Sequence, residues 1–426
     1  MKAVLLAAGE GIRLLPITAT RPKHLIKVAG KPILQFCLEA VKKAGVTEVL
    51  IVTHYMGDSI RQYFGDGETL GLQISYVKQE KIQGTGNATE VSEFFVDEDF
   101  LLIYGDLLFG SGTVKKVLQS YKRGKTSAVV GVVPVEKTES YGIIEFDNRK
   151  NVNCIVEKPA AGKAPSNLAN AGVYVLSREI FDKIKQTKNS VRGEIELTDA
   201  VTMLSSEGKT VLAAELSKDD WFDVGRPWDL LDANNWALKR SELQVLGKIE
   251  QDAHLLGPVS VAESARIRSG VYIEGPCFID EECDIGPNCY IRPGTSLGKH
   301  VRIGNACEIK NSIIMDSTHI GHLSYIGDSI LGEHCNLGAG TITANYRLDS
   351  GSIKMMVKDQ LVNTGRRKLG AVLGDNVKTG IKSLFMPGVK VGVNSWVGPN
   401  FMVERDLQAN SMAFLKQQSN IGERKA

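Results

Sequence analysis

From Ile249 to Ile309 an aliphatic residue stands at every sixth position: Ile249, Leu255, Val261, Ile267, Ile273, Ile279, Ile285, Ile291, Leu297, Ile303 and Ile309. Four residues after each rung comes a second small or medium residue, among them Ala253, Val259, Ala265, Val271, Cys277, Cys283, Cys289, Thr295, Val301 and Cys307. A period of six is neither the 3.6 of a helix nor the 2 of an ordinary strand. It predicts a hexapeptide parallel β-helix of the left-handed type, built from short flat strands with one rung per strand pointing inward. After Ile309 the spacing shortens to Ile314, Ile320 and Ile326, then to Leu331 and Leu337. It fails between about Thr343 and Leu369 and resumes at Leu373, Thr379, Phe385, Val391 and Val397. Departures from a repeat scaffold are where loops carry function.

The front of the chain has a different rhythm. Apolar strands at Lys2–Leu6, Val49–Thr53, Ile74–Val77, Phe100–Tyr104 and Ser127–Val135 alternate with amphipathic stretches at Pro32–Ala44, Asn87–Phe94, Val114–Lys122 and Glu194–Ser206. This is the pattern of a Rossmann-like, mostly parallel α/β sheet, in which ligands collect past the carboxyl ends of the strands. Between the two halves, Trp228, Leu231, Trp236 and Leu243 recur at helical spacing, so a linker helix packed on the first domain is expected. The expected domains are therefore 1–226, a linker helix at 227–247, and a β-helix at 248–426.

Composition changes little in this picture. A chain of 426 residues exceeds what one core normally serves, and 51 basic against 49 acidic side chains give no field favouring nucleic acid or an anionic membrane. No apolar run is long enough to span a bilayer. The seven cysteines contain no C-x-x-C pair, and Cys277, Cys283 and Cys289 follow the ladder spacing, so they read as packing residues in a reducing cytoplasm rather than zinc ligands.

Chemistry enters after the first strand, where Ala7, Ala8, Gly9 and Gly11 let backbone N–H groups approach phosphates that Arg13 and Lys23 could neutralise. By itself a Gly-x-Gly turn with solvated cations explains as much. The longer string LLAAGEGIRLLPITATRPKHLIKVAGKPIL resembles the signature loop of the sugar-1-phosphate nucleotidylyltransferases. The resemblance extends through QEKIQGTGNA, which implies that Gln79, Gln83, Gly84 and Thr85 read the nucleobase. LLIYGDLLF and WFDVGRPWDLL imply Asp106 and Asp223 as ligands of Mg²⁺, and SYGIIEF, IVEKP and ANAGVYV imply Gly142, Glu157, Lys158 and Asn170 around the sugar phosphate. Two carboxylates and two cations suit in-line attack of a sugar phosphate on a nucleoside triphosphate, UTP or dTTP, where charge accumulates on phosphate oxygens. His24 and His54 are expected in exposed polar loops.

In the β-helix, YIRPG, EIKNS, IGHLSYIGD and CNLGAGTITANY resemble in order and spacing the acetyltransferase half of the bifunctional glucosamine-1-phosphate acetyltransferase/N-acetylglucosamine-1-phosphate uridylyltransferases, in a longer archaeal-type form. That resemblance implies His322 as general base, Arg292, Lys310 and Tyr325 on the sugar phosphate, Asn336 and Asn345 on the amino sugar, and Ala339 where acetyl-CoA passes. A histidine suits the task, since amide formation needs a neutral amine and a base titrating near neutrality. His319 and His334 read as structural. Where the family shows Asp-Gly after the Asn-Tyr pair, Arg347 and a long loop ending in Arg366-Arg367-Lys368 follow, and Ile381 stands where a Ser is expected near the acetyl donor. The expectation is a bifunctional homotrimer making UDP-N-acetylglucosamine. A nucleotidylyltransferase using its β-helix only to oligomerise, and a non-catalytic regulatory subunit, are the alternatives that Arg292, Lys310, His322 and Tyr325, and Arg13, Lys23, Asp106 and Asp223, respectively argue against.

Overall fold

The computed structural model describes residues 1–418 apart from Ser111, Lys150, Val191, Leu243 and Gln417. It divides into two compact units: Met1–Gly11, Arg21–Lys27 and Lys31–Val224 form the first, and Ile12–Thr20, Val28–Gly30 and the chain from Gly225 onward form the second.

In the first unit the main sheet runs in the order Val152–Glu157, Gly142–Phe146, Leu168–Leu176, Phe100–Tyr104, Ala3–Ala7, Glu48–Thr53 and Gln73–Lys78, with Ala128–Pro134 pairing both Leu168–Leu176 and Val211–Glu215. It is a mixed sheet. Four of the five strands the apolar pattern predicts pair in parallel around Ala3–Ala7, while Leu168–Leu176 lies antiparallel to Phe100–Tyr104 and to the fifth, Ala128–Pro134. Alternation on each strand sorts the core into two layers. Leu5, Ile51, Ile103 and Val173 pack on one face with the helix Ile33–Lys43, and Val4, Leu102, Tyr174 and Val201 pack on the other with Leu197–Ser206. That second helix starts at Leu197, not at Glu194, because the preceding residues are spent on a neighbouring loop: Ile195 N–H donates to the Gln83 carbonyl at 2.7 Å.

The second unit is the left-handed β-helix. Its strands stack into three parallel sheets, and each rung lies over the one eighteen residues earlier, as in Ile249–Ile267, Leu255–Ile273 and Val261–Ile279. Where the sequence period shortens, the stacking shortens by one residue, as in Ile303–Ile320 and Ile309–Ile326. The rungs, with Cys277, Cys283, Cys289, Cys307 and Cys335, make one continuous apolar column. Cys277, Cys283 and Cys289 are free thiols, and burial pushes each up to about 12, so they pack as small hydrophobes. The interruption is a hairpin: Lys354–Val357 pairs antiparallel with Gln360–Asn363, after which stacking resumes with Leu331 under Leu373.

The expected linker helix is shorter than its pattern, running Pro227–Leu238, and Leu243 lies outside the described residues. Its attachment also differs from the expectation, because it hydrogen-bonds to the β-helix. Buried Asn234 donates to the Gly294 carbonyl at 2.9 Å and accepts from Ser296 at 2.7 Å, and Asn235 donates to Asn311 at 2.7 Å. Two amides facing coil corners decide the matter, and a hydrophobic period cannot register them.

Candidate active sites

In the first unit, strand ends gather the chemistry. The strand Phe100–Tyr104 ends in Gly105-Asp106, and the short strand Trp221–Asp223 pairs antiparallel with Leu107–Phe109. That register sets Asp223 opposite Leu107, the residue after Asp106. Lys23 forms an ion pair with Asp106. Burial works to raise the Asp106 carboxyl, but the charge and hydrogen bond of Lys23 outweigh it and hold the group below the usual carboxylate range. Lys23 also approaches Gly9, in the turn that follows Ala7 and Ala8. His24 is not in an exposed loop. It is completely buried, and burial beside Lys23 lowers it to about 3, so the ring is neutral. His54 is half-buried and its Nδ1 lies 2.6 Å from the Gln79 carbonyl.

The nucleobase candidates lie on one braced loop. Gln79 is buried and donates to Asn87 Oδ1 at 2.8 Å, so its amide holds the turn. Gly84 has φ of 102°, and a Cβ there would meet the Ile195 carbonyl at 2.5 Å, which excludes any larger residue. Thr85 Oγ1 accepts from Leu197 N–H at 3.0 Å. The sugar-phosphate candidates Gly142 and Glu157 are paired on adjacent strands, and a Cβ at Gly142 would sit 2.8 Å from Glu157 Oε1. Lys158 follows with φ of 46°. Asn170 stands half-buried on Leu168–Leu176. Arg13 lies on the turn Ile12–Leu14, in a segment that clusters with the second unit, where its guanidinium approaches Gly225.

Sequence reasoning missed Arg192, Glu196, Thr198, Tyr104 and Tyr174. Arg192 donates to Glu196 at 2.6 Å and lies 3.8 Å from Glu157, and Thr198 donates to Glu157 at 3.0 Å. The only signal was the run RGEIELTD, whose charges are dense for the start of a helix that buries Leu197, Thr198, Ala200 and Val201.

In the β-helix the candidates fall into two groups. Arg292 and Lys310 follow rungs stacked in successive coils. Lys310 lies 3.3 Å from Asp328, and Asn345 donates both to Asp328 at 2.5 Å and to Tyr325 Oη at 3.0 Å. Arg292 donates to Glu308 at 2.8 Å, its guanidinium lies over Tyr290 at 5.4 Å, and its buried Nε has no partner among the described residues. An orphaned guanidinium N–H beside a lysine is what an anion such as a sugar phosphate would satisfy. The second group sits at the corner before the strand Tyr325–Gly327: exposed His322, and Ala339 in the next coil, where Gly340 N–H donates to the His322 carbonyl at 3.2 Å and Lys382 N–H to the Ala339 carbonyl at 2.7 Å. Exposed Ile381 precedes Lys382 on that corner. Asn336 is not with Asn345: it lies on another sheet, between His319 and Lys378. A cavity of about 370 Å³ between the groups is lined by Tyr290, Glu308, Leu323, Ser324, Tyr325 and Ile342. In the inserted loop Arg366 pairs with Asp232 at 2.5 Å.

Comparison with known proteins matches residues 2–240 to the nucleotidyl transferase family and residues 273–391 to the GMPPB C-terminal domain. The chain is 41% identical, over 97% of each sequence, to a protein of Methanocaldococcus jannaschii described as "Bifunctional protein GlmU". It is 40% identical to the bifunctional sugar-1-phosphate nucleotidylyltransferase/acetyltransferase of Sulfurisphaera tokodaii, over 96% of this chain and 98% of that one. Among solved structures, UDP-glucose pyrophosphorylase complexed with UDP-glucose superposes with a TM-score of 0.52 at 28% identity, covering 56% of this chain and 99% of that one.

Proposed function

Because the chain belongs to the family of bifunctional sugar-1-phosphate nucleotidylyltransferases/acetyltransferases, we propose that it makes UDP-N-acetylglucosamine in two steps at two separate sites. The observation that carries the reading is that one chain holds two unrelated clusters, Lys23–Asp106–Asp223 at strand ends and Arg292–Lys310–Tyr325–Asn345 on β-helix coils.

At the β-helix the substrate is glucosamine-1-phosphate. Arg292 and Lys310 take the phosphate, Tyr325 and Asn345 orient the sugar, and Asn336 contacts the amino sugar. His322 accepts the proton as the 2-amino nitrogen attacks the thioester carbonyl of acetyl-CoA, carried past Ala339, and the coenzyme A thiolate leaves. Asn336 lies on a different sheet from Tyr325, which supports a homotrimer in which neighbouring copies complete one another's sites. In the first unit the phosphate oxygen of N-acetylglucosamine-1-phosphate attacks the α-phosphorus of UTP and pyrophosphate leaves. Gly84, Thr85 and the Gln79 loop hold the base; Gly142, Glu157, Lys158 and Asn170 hold the sugar phosphate; Lys23 neutralises phosphate oxygens.

Asp106 and Asp223 would hold Mg²⁺. Their chemistry fits it: both are hard oxygen donors, the strand register puts Asp223 opposite the residue after Asp106, and Lys23 keeps Asp106 ionised. Two carboxylates completed by substrate phosphates is the usual set for this ion, which when bound offsets charge on the transferred phosphate. All seven cysteines are free thiols, which suits a reducing cytoplasm where acetyl-CoA and UTP are present. No helix among the described residues is long and apolar enough to cross a membrane.

Two variants test the division of labour. Asp106→Ala should abolish pyrophosphate release from UTP with N-acetylglucosamine-1-phosphate, by at least about a hundredfold, while coenzyme A release from acetyl-CoA with glucosamine-1-phosphate stays intact. His322→Ala should do the reverse. Acetyl transfer that survives His322→Ala unchanged would remove the base assignment, and loss of both activities in either variant would remove the two-site reading.

A further inference from the structure

In the column of rungs two positions, Thr343 and Thr379, carry a hydroxyl where their neighbours carry hydrocarbon. Thr343 is stacked between Ile326 and Phe385, Thr379 is stacked against Val397, and both are buried. A hydroxyl inside an apolar column costs free energy unless it finds a partner. Each finds the same kind, the backbone of a glycine that directly follows a rung of the preceding coil. Gly327, after Ile326, donates its N–H to Thr343 Oγ1 at 2.9 Å, and its carbonyl accepts from buried Ser329 Oγ at 2.8 Å. Gly338, after Leu337, donates to Thr379 Oγ1 at 2.9 Å, and its carbonyl accepts from buried Thr341 Oγ1 at 2.6 Å. The hydroxyls of each pair also meet, Ser329 with Thr343 at 3.1 Å and Thr341 with Thr379 at 3.0 Å. Glycine has more backbone freedom than any other residue. With its N–H on one hydroxyl and its carbonyl on another, each of these two has both peptide planes held.

Each copy of this arrangement stands behind one group of acetyl-transfer candidates. On the outer side of Gly327 there is no room for a side chain: a Cβ would fall 2.5 Å from Tyr325 Oη and 2.7 Å from Asn345 Nδ2. The next residue, Asp328, has φ of 49° and accepts from Lys310 and Asn345. One layer of backbone thus separates the Thr343 hydroxyl from the sugar-phosphate candidates. Gly338 leads in the same way into Ala339 and Gly340, the corner that is tied to the His322 carbonyl and the Lys382 N–H. We infer that Thr343 and Thr379 are positioning residues of the acetyl-transfer site, each fixing from inside the column the backbone that carries one substrate's contacts. Thr343 serves the sugar phosphate through Gly327 and Asp328. Thr379 serves the acetyl donor through Gly338 and Ala339. An aliphatic rung has no group with which to do either.

This rests on the proposed acetyl-transfer reading, and steady-state release of coenzyme A, with glucosamine-1-phosphate and acetyl-CoA varied in turn, tests both. Thr343→Val keeps the shape of the rung and removes the hydroxyl. It should raise KM for glucosamine-1-phosphate about fivefold, with KM for acetyl-CoA and kcat within about twofold. Thr379→Val should do the converse and raise KM for acetyl-CoA alone by a similar factor. Thr343→Ser and Thr379→Ser keep the hydroxyl and lose a methyl group, so they should melt at a lower temperature with both KM values at the wild-type level. Valine variants that leave both KM values unchanged, whatever their melting temperature, would make the threonines merely structural and overturn the inference. So would valine variants that raise both KM values or only the other substrate's, or serine variants that fail to restore the wild-type constants. If a valine variant does not fold, Ser329→Ala or Thr341→Ala cuts the hydrogen bond to the same glycine's carbonyl and reads out the same constant. A wild-type chain that releases no coenzyme A with glucosamine-1-phosphate would sink the functional reading itself.

Discussion

The two units treat polar groups in opposite ways. The first takes them inside: Lys23 with Asp106, neutral His24, the Tyr104–Tyr174 pair and Glu196 are all buried or nearly so, each answered by a partner or held neutral. The β-helix keeps its interior a column of Ile, Leu, Val and Cys, lets in small hydroxyls such as Thr318 and Thr341 that bond to backbone carbonyls, and carries its candidate chemistry on outer faces and corners. The difference follows from the elements. A sheet with helices on both faces has strand ends where loops converge, and ligand groups can be sunk there behind several layers. A coil of three short strands has room inside for one rung per strand, so a functional side chain must point outward.

The harshest way to break that contrast is to put a charge where the β-helix has none. Ile303 is stacked between Ile285 and Ile320 and is fully buried. Ile303→Asp would leave a carboxylate without a partner among hydrocarbon rungs, at a cost of about 4 kcal/mol or more. We expect a large fall in the denaturant midpoint and loss of acetyl transfer together. A carboxylate tolerated there, with the midpoint unchanged, would mean that the column is looser than its stacking indicates.

The same contrast explains what could be read from the chain. The ladder was legible residue by residue, because an inward position in a coil depends only on local period, and even its shortening after Ile309 is repeated in the stacking of Ile303 on Ile320. The parallel strands around Ala3–Ala7 were legible as short apolar runs, and so was the strand Phe100–Tyr104 that Asp106 follows. The antiparallel half was not. Leu168–Leu176 reads as LANAGVYVL, nearly continuous in small and apolar residues, and nothing local says which way its neighbours run. Burial of His24 and the contact of Tyr104 with Tyr174 were equally hidden, since both arise only through tertiary packing. The helix Pro227–Leu238 was recognisable, but its attachment was not, because two asparagine amides set it.

A milder perturbation addresses a place where the β-helix does bury a charge. Asp328 is buried and accepts from Lys310, Asn311 and Asn345 at once, so it holds two of the acetyl-transfer candidates, Lys310 and Asn345. Asp328→Ala would leave Asn311 Nδ2 without its acceptor, Asn345 with only Tyr325 Oη, and the mostly buried Lys310 without its counter-charge. We expect a loss of about 2–3 kcal/mol in urea unfolding and a raised KM for glucosamine-1-phosphate, with pyrophosphate release little changed. Stability loss without any change in that KM would separate Asp328 from the site and leave it as a brace.

The smallest effect is expected at the inserted hairpin, which shows how little a charge does once it is outside the column. Arg366 pairs with Asp232, whose side chain is 48% exposed, and Ile353, Met355 and Leu369 are buried independently of that pair. Solvent screens an ion pair of this kind and its side-chain ordering offsets much of the attraction, so Arg366→Ala should cost under about 1 kcal/mol, and less as salt is raised. The measurement that sharpens the comparison is the KM for acetyl-CoA in the same variant. An unchanged KM means that Arg366 serves only to tether the hairpin; a KM raised severalfold and insensitive to the tether's stability would place that cation on a coenzyme A phosphate, and the rule that the β-helix works from its outer surface would then extend to its one long loop.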